Sequence, residues 1–214
     1  MKYSGTLLKM SSIFKKPIEY TLPIGNELFI ISNYINKEIT IEFFGDIFCI
    51  KCNNKIKKSF AQGYCFPCFQ SVPETSECIL KPELCRAHEG VARDMEWAKK
   101  VCLNDHYVYL SLTSGLKVGV TRSPQVPTRW IDQGASQALI LAQTPNRYYA
   151  GLIEVELKQY VSDKTAWQRM LKNEVKENVN LVNEKNKLAN ELPSKLKKYV
   201  TNDDKIVKIN YPKK

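Results

Sequence analysis

Cys49 and Cys52, then Cys65 and Cys68, form two Cys-x-x-Cys pairs separated by twelve residues. Such a turn aims two sulfurs at one point, and two of them supply the four thiolates of a tetrahedral zinc site. With every ligand drawn from the protein the site is closed, so its expected role is structural. Five more soft ligands, Cys78, Cys85, His88, Cys102 and His106, lie within twenty-nine residues. Four of these five complete a second zinc sphere. Cys85 with His88 and Cys102 with His106 are both workable pairs; His106 alternatively serves the stretch it opens.

That stretch holds the other reactive groups. Tyr107 to Leu112 is apolar and β-prone, Thr113-Ser114-Gly115 has turn chemistry, and Leu116 to Thr121 reads as a second strand, giving a hairpin. Gly119 inside the second strand marks a close backbone approach. Pro124 and Pro127 precede a short helix, Thr128 to Gln133, stopped by Gly134. Gln137 to Gln143 is a buried strand, and Asn146 caps a helix from Arg147 to about Tyr160. In that helix Tyr149, Leu152, Ile153 and Leu157 form the core stripe, with Glu154 at its edge. Tyr109, Lys117, Arg129 and Glu154 therefore sit on four successive elements and are expected to converge at one end of a small sheet.

Val108-Tyr109, Lys117-Val118-Gly119, an arginine ten residues after that glycine and a glutamate on the next strand's helix resemble the GIY-YIG nuclease superfamily over about residues 106 to 163. The longer string with Lys-Val-Gly-Val-Thr-Arg, Arg-Trp-Ile-Asp-Gln-Gly-Ala and upstream cysteine pairs is similar to a bacterial domain-of-unknown-function family over most of the chain. The superfamily resemblance implies that Tyr109 lies near an attacking water, Arg129 stabilises the phosphate's developing charge, and Glu154 holds a divalent cation such as Mg2+. Lys117 stands where the second tyrosine of that motif is usual, which leaves its part in water activation open. It implies a nuclease acting on DNA or RNA; a non-cleaving nucleic-acid-binding module and a nucleic-acid-modifying enzyme are the alternatives.

Chain-wide features set the frame. The 214 residues carry a formal charge of +10, concentrated in residues 164 to 214, where thirteen Lys or Arg face six Asp or Glu. A basic tail of this kind suits phosphate backbones. Cysteine pairs with an odd total of seven fit metal sites in a reducing compartment better than disulfides, and no apolar run reaches membrane-spanning length. A cytoplasmic protein with no membrane contact is expected. The fold class reads as α+β: a small β domain over 1–47 (strands at Tyr3 to Leu8, Ile18 to Leu22, Leu28 to Ile31 and Ile39 to Phe44), zinc-binding modules over 48–105, an α/β core over 106–163, and a basic helical extension over 164–214. In the extension Trp167, Leu171, Val175, Val179, Val182, Leu188, Leu192 and Leu196 draw an imperfect helical stripe that Pro193 interrupts, and Ile206 to Ile209 adds an edge strand.

Overall fold

The computed structural model describes residues 2–164, 168 and 179–212. It is α+β and divides into two compact units, Met1–Thr75 with Asn210–Lys214, and Ser76–Ile209. No helix among the described residues is long and apolar enough to cross a membrane.

The first unit begins with an antiparallel sheet of β1 (Ser11–Ile13), β2 (Glu19–Ile24) and β3 (Glu27–Ile30), in that order. Two residues, Gly25 and Asn26, join β2 to β3, and Gly25 adopts φ 58°, as a tight hairpin demands. Two expected strands are missing. Tyr3 to Leu8 contributes only a single bridge, Leu7 to Ile24, and Ile39 to Phe44 forms no strand. Alternation decides which side chains share a face, but a strand also needs a neighbour's ladder, and Ile41, Phe43 and Phe44 stay more than 70% exposed. A second hairpin, β4 (Ile47–Phe48) with β5 (Lys55–Ile56), leads to the short helix α1 (Phe66–Ser71). Phe60 packs on Phe66 and Phe69 with ring centroids 5.2 and 5.9 Å away.

The second unit starts with short 3-10 turns and α2 (Met95–Val101), whose first turn is capped by the Asp94 carboxylate accepting from the Trp97 amide at 2.9 Å. Then come β6 (His106–Leu112), β7 (Leu116–Arg122), α3 (Thr128–Asp132), β8 (Gln137–Thr144) and α4 (Arg147–Leu157). After the undescribed residues follow α5 (Leu181–Glu191), α6 (Ser194–Lys197) and β9 (Val207–Lys208). The sheet is antiparallel in the order β7-β6-β8-β9. The start of the expected C-terminal stripe, Trp167, Leu171 and Val175, lies outside the described residues.

The core forms where Val108, Leu110, Val118 and Leu139 of the sheet meet Ala150, Ile153 and Leu157 of α4 and Leu181 and Leu188 of α5. By alternation, Tyr109, Ser111, Lys117 and Gly119 occupy the other face of β6 and β7, with Tyr109 paired to Gly119 and Ser111 to Lys117. The β6–β8 register shifts between Val108 and Tyr109, a bulge at the position that aims the tyrosine. Gly151 on α4 lets the Pro82–Leu84 turn approach to backbone contact.

Candidate functional site

The four cysteines of the first unit converge: Cys49, Cys52, Cys65 and Cys68 have sulfurs within 4.8 Å of one another. The β4–β5 turn carries the first two, with Asn53 at φ 58° reversing the chain. Cys65 and Cys68 straddle the start of α1. The Cys49 sulfur accepts from the amides of Cys65 at 3.2 Å and Lys51 at 3.5 Å. Burial raises its thiol, but backbone donors including the Cys52 amide outweigh that and bring it down to about 6. The neighbouring sulfurs, Cys65 first, push Cys68 up to about 12, as expected of thiols crowded around one point. A tetrahedron with zinc–sulfur bonds of about 2.3 Å has edges of about 3.8 Å. The Cys52 and Cys65 sulfurs are 3.8 Å apart. The donor set fits zinc.

The second cluster contains three of the five expected ligands. Cys78, Cys85 and Cys102 lie within 4.8 Å of one another; neither histidine joins that group. Trp97 packs against it, as do Met95 and Tyr148. Arg147, which sequence reasoning treated only as part of a helix start, donates from Nη1 to the Cys78 carbonyl at 3.2 Å and hydrogen-bonds the Cys102 thiolate. His88 stacks on Tyr148 at 4.3 Å. His106 is buried, and burial holds its ring near pKa 4, well below the usual value.

Of the four predicted site residues, Tyr109 and Lys117 lie on one face of the hairpin, Arg129 on α3 and Glu154 on α4. Tyr109 is fully buried; its hydroxyl donates to Gln133 Oε1 at 2.7 Å and its ring stands edge-on to Trp130 at 6.0 Å. Burial pushes the phenol up to about 12, against the opposing pull of the Arg129 guanidinium, which also hydrogen-bonds it. A β-carbon on Gly119 would lie 2.6 Å from the Tyr109 hydroxyl, so the ring crosses bare backbone. Lys117 is only 3% exposed; burial and then Arg129 lower its pKa, while Asp163 and Glu154 act the other way. Glu154 is 8% exposed and raised by burial, despite Lys158. The Lys158 ammonium bridges Glu154 at 3.4 Å and Asp163 at 3.2 Å. Arg129 is the exposed member. The cluster thus holds two opposite charges, Arg129 and Glu154, each acting on both Tyr109 and Lys117.

Lys158 was not singled out by sequence. Lys158 follows Glu154 by one helical turn, and that spacing was the available signal. Gln133, on the helix of Arg129, reads from sequence as a capping or surface residue within possible reach of a substrate, and the folded hairpin brings it under the Tyr109 hydroxyl.

No curated protein and no solved structure matches the chain. The family model described as a protein of unknown function, DUF2797, matches residues 36–214, beginning after β3 and taking in both cysteine clusters and the whole polar cluster, and the chain belongs to that family.

Proposed function

We propose that this is a zinc-stabilised, nucleic-acid-associated protein whose β6 to α4 segment is a GIY-YIG-like core acting on phosphodiesters as a divalent-metal-dependent nuclease. One observation carries the reading: Tyr109 and Lys117, on one face of the β6–β7 hairpin, each lie within electrostatic reach of Arg129 and Glu154, with Lys117 and Glu154 buried. Perturbed, mutually coupled groups of this kind mark functional sites.

The roles follow from the surroundings. Arg129 is exposed and could meet a phosphate, and a preorganised guanidinium stabilises charge that grows in the transition state. Lys117, with Arg129 lowering its pKa further, adds a phosphate contact or accepts a proton from water. Tyr109, anchored on Gln133, orients rather than deprotonates, because its phenol is held at about 12. Glu154 and Asp163 are the carboxylates that would hold Mg2+, which when bound supplies Lewis-acid stabilisation of the phosphate. Lys158 has to swing away first, since its ammonium now bridges the pair. Zinc at Cys49, Cys52, Cys65 and Cys68, and a second zinc at Cys78, Cys85 and Cys102, serve structure. The exposed Lys195, Lys197 and Lys198 around α6 extend the phosphate contact.

The test is cleavage of single- and double-stranded DNA and RNA with and without Mg2+. Wild type should cut only with the cation, and Glu154→Gln should abolish cutting while leaving substrate binding largely intact. Binding without turnover on every substrate, with Mg2+ or Mn2+, rejects the nuclease. It selects the second reading, a non-cleaving binding module, which the Lys158 bridge and the fully buried Tyr109 favour.

A further inference from the structure

We infer that His106 closes the second metal centre, making it a Cys3His zinc site, and that His88 is not a ligand; this rests on reading Cys78, Cys85 and Cys102 as zinc ligands. Three sulfurs within 4.8 Å of one another supply three corners of a tetrahedron and leave the fourth to another group. Two imidazoles are near in sequence, three residues after Cys85 and four after Cys102.

His88 is already engaged. Its ring lies on Tyr148 with an interplanar angle of 21°, its Nε2 stands 3.9 Å from the Glu89 carboxylate, and its side chain is 26% exposed. His106 is 1% exposed, and its Nδ1 lies 2.7 Å from the Asn104 carbonyl. A carbonyl can only accept, so in the neutral ring Nδ1 carries the proton and Nε2 carries the lone pair. That Nε2 is buried with no partner. A buried polar atom left this way loses its hydration without recovering a partner. A ring held through Nδ1–H by a backbone carbonyl, with Nε2 left bare, is the arrangement found behind metal-bound histidines. Cys85 is within electrostatic reach of the ring. The ring stands outside the 4.8 Å that encloses the sulfurs, so metal binding draws the turn from Cys102 to His106 inward.

Charge agrees with this set. Zinc with three thiolates and a neutral imidazole carries one net negative charge, and the Arg147 guanidinium at Cys102 offsets it. The assignment also ties the metal to the central sheet. His106 opens β6 and pairs with Arg122 at the end of β7 and Thr144 at the end of β8. The zinc then fixes the strand three residues ahead of Tyr109.

The experiment uses the full chain purified with zinc, and compares wild type with His106→Ala, His106→Cys and His88→Ala. Metal content, chelator competition and zinc X-ray absorption are measured on each. Wild type should hold two zinc equivalents. His106→Ala should lose the imidazole signature and hold its second zinc more weakly than the ~10–100-fold loss typical of removing an outer-shell partner. His106→Cys should recover the affinity with a sulfur-only spectrum, and His88→Ala should match wild type. An unchanged second zinc in His106→Ala overturns the assignment and leaves a buried water as the Nε2 partner. Loss of zinc in His88→Ala overturns it in favour of His88. A wild-type stoichiometry near one overturns the second zinc itself, a result distinct from either.

Discussion

The two units bury apolar surface very differently. In the first, Ile18, Cys49 and Val72 are the buried apolar residues among those described, whereas Leu7, Leu28, Ile41, Phe43 and Phe44 are well exposed. The second encloses a continuous core running from Val108 and Leu110 to Leu192 and Leu196. Hydrophobic burial is the main favourable contribution to folding, so a unit that has little of it needs another source. Around Cys49 to Cys68 the proposed source is a metal, because binding free energy at a structural zinc site is folding free energy. In the second unit the three-cysteine cluster lies beside a sheet that holds itself together. With zinc bound, the same ligand chemistry would be a scaffold in one place and a local clamp in the other.

The largest expected effect breaks the comparison if it fails. Cys52→Ser or Cys65→Ser should remove one zinc equivalent and unfold the first unit, with about 10–16 kcal/mol of apparent metal binding at stake on the scale of zinc-finger peptides. Hydrogen exchange should show residues before 76 losing protection while β6 to β8 keep theirs. Equal loss in both units would mean that they fold as one.

Next comes Gly119→Ala. The added carbon meets a Tyr109 ring that Gln133 and Trp130 hold in place, so a loss of about 1–3 kcal/mol is expected, the scale of overpacking. Chemical denaturation followed through tryptophan fluorescence checks it, and the first unit's zinc content should not change.

A smaller effect has the opposite sign. Burial raises the folded pKa of Glu154 above its ordinary value of 4.5. A raised carboxyl favours the folded state fully below the unfolded pKa, and that contribution is lost as pH rises through the folded value. Near neutrality the charged form is a cost, so Glu154→Gln should stabilise the protein by roughly 0.5–2 kcal/mol, as relief at functional sites does. The gain should shrink as pH falls toward 4.5. Thermal melts across that range that show no gain would recast Glu154 as a stabilising ion-pair partner of Lys158.

The smallest concerns the surface. Neutralising Lys195, Lys197 and Lys198 together should weaken nucleic-acid binding and reduce its logarithmic salt slope by up to about 3, at about 0.9 per phosphate contact. An unchanged slope would move the contact to Lys55, Lys57 and Lys58 of the first unit's metal loop.

Much of the second unit was legible because its signals are local. The hairpin, the Asn146 cap on the Tyr149 amide at 3.1 Å, and the break around Pro193 between Glu191 and Ser194 all follow from neighbours in sequence. Gly119 announced its close approach, and the Cys-x-x-Cys spacing located the first cysteine cluster. What stayed hidden depends on partners far along the chain. Ile39 to Phe44 alternates like a strand but finds no ladder, and Tyr3 to Leu8 secures one bridge. Spacing could not rank His88 against His106, because burial and the hydrogen bond on His106 Nδ1 distinguish them. Glu154 was expected at the edge of its helix's apolar stripe, but it is almost as buried as its neighbours, since the Pro82–Leu84 turn covers that side of α4.

The bare backbone beneath Tyr109 also constrains the history open to this site. With the tyrosine ring in place, a β-carbon at position 119 lies 2.6 Å from its hydroxyl, so any side chain there must displace the ring at a cost in stability. Replacing Tyr109 with a smaller residue first removes the obstacle, and position 119 then becomes permissive. The order of substitution that removes the ring first avoids that cost, so the two positions are expected to change together.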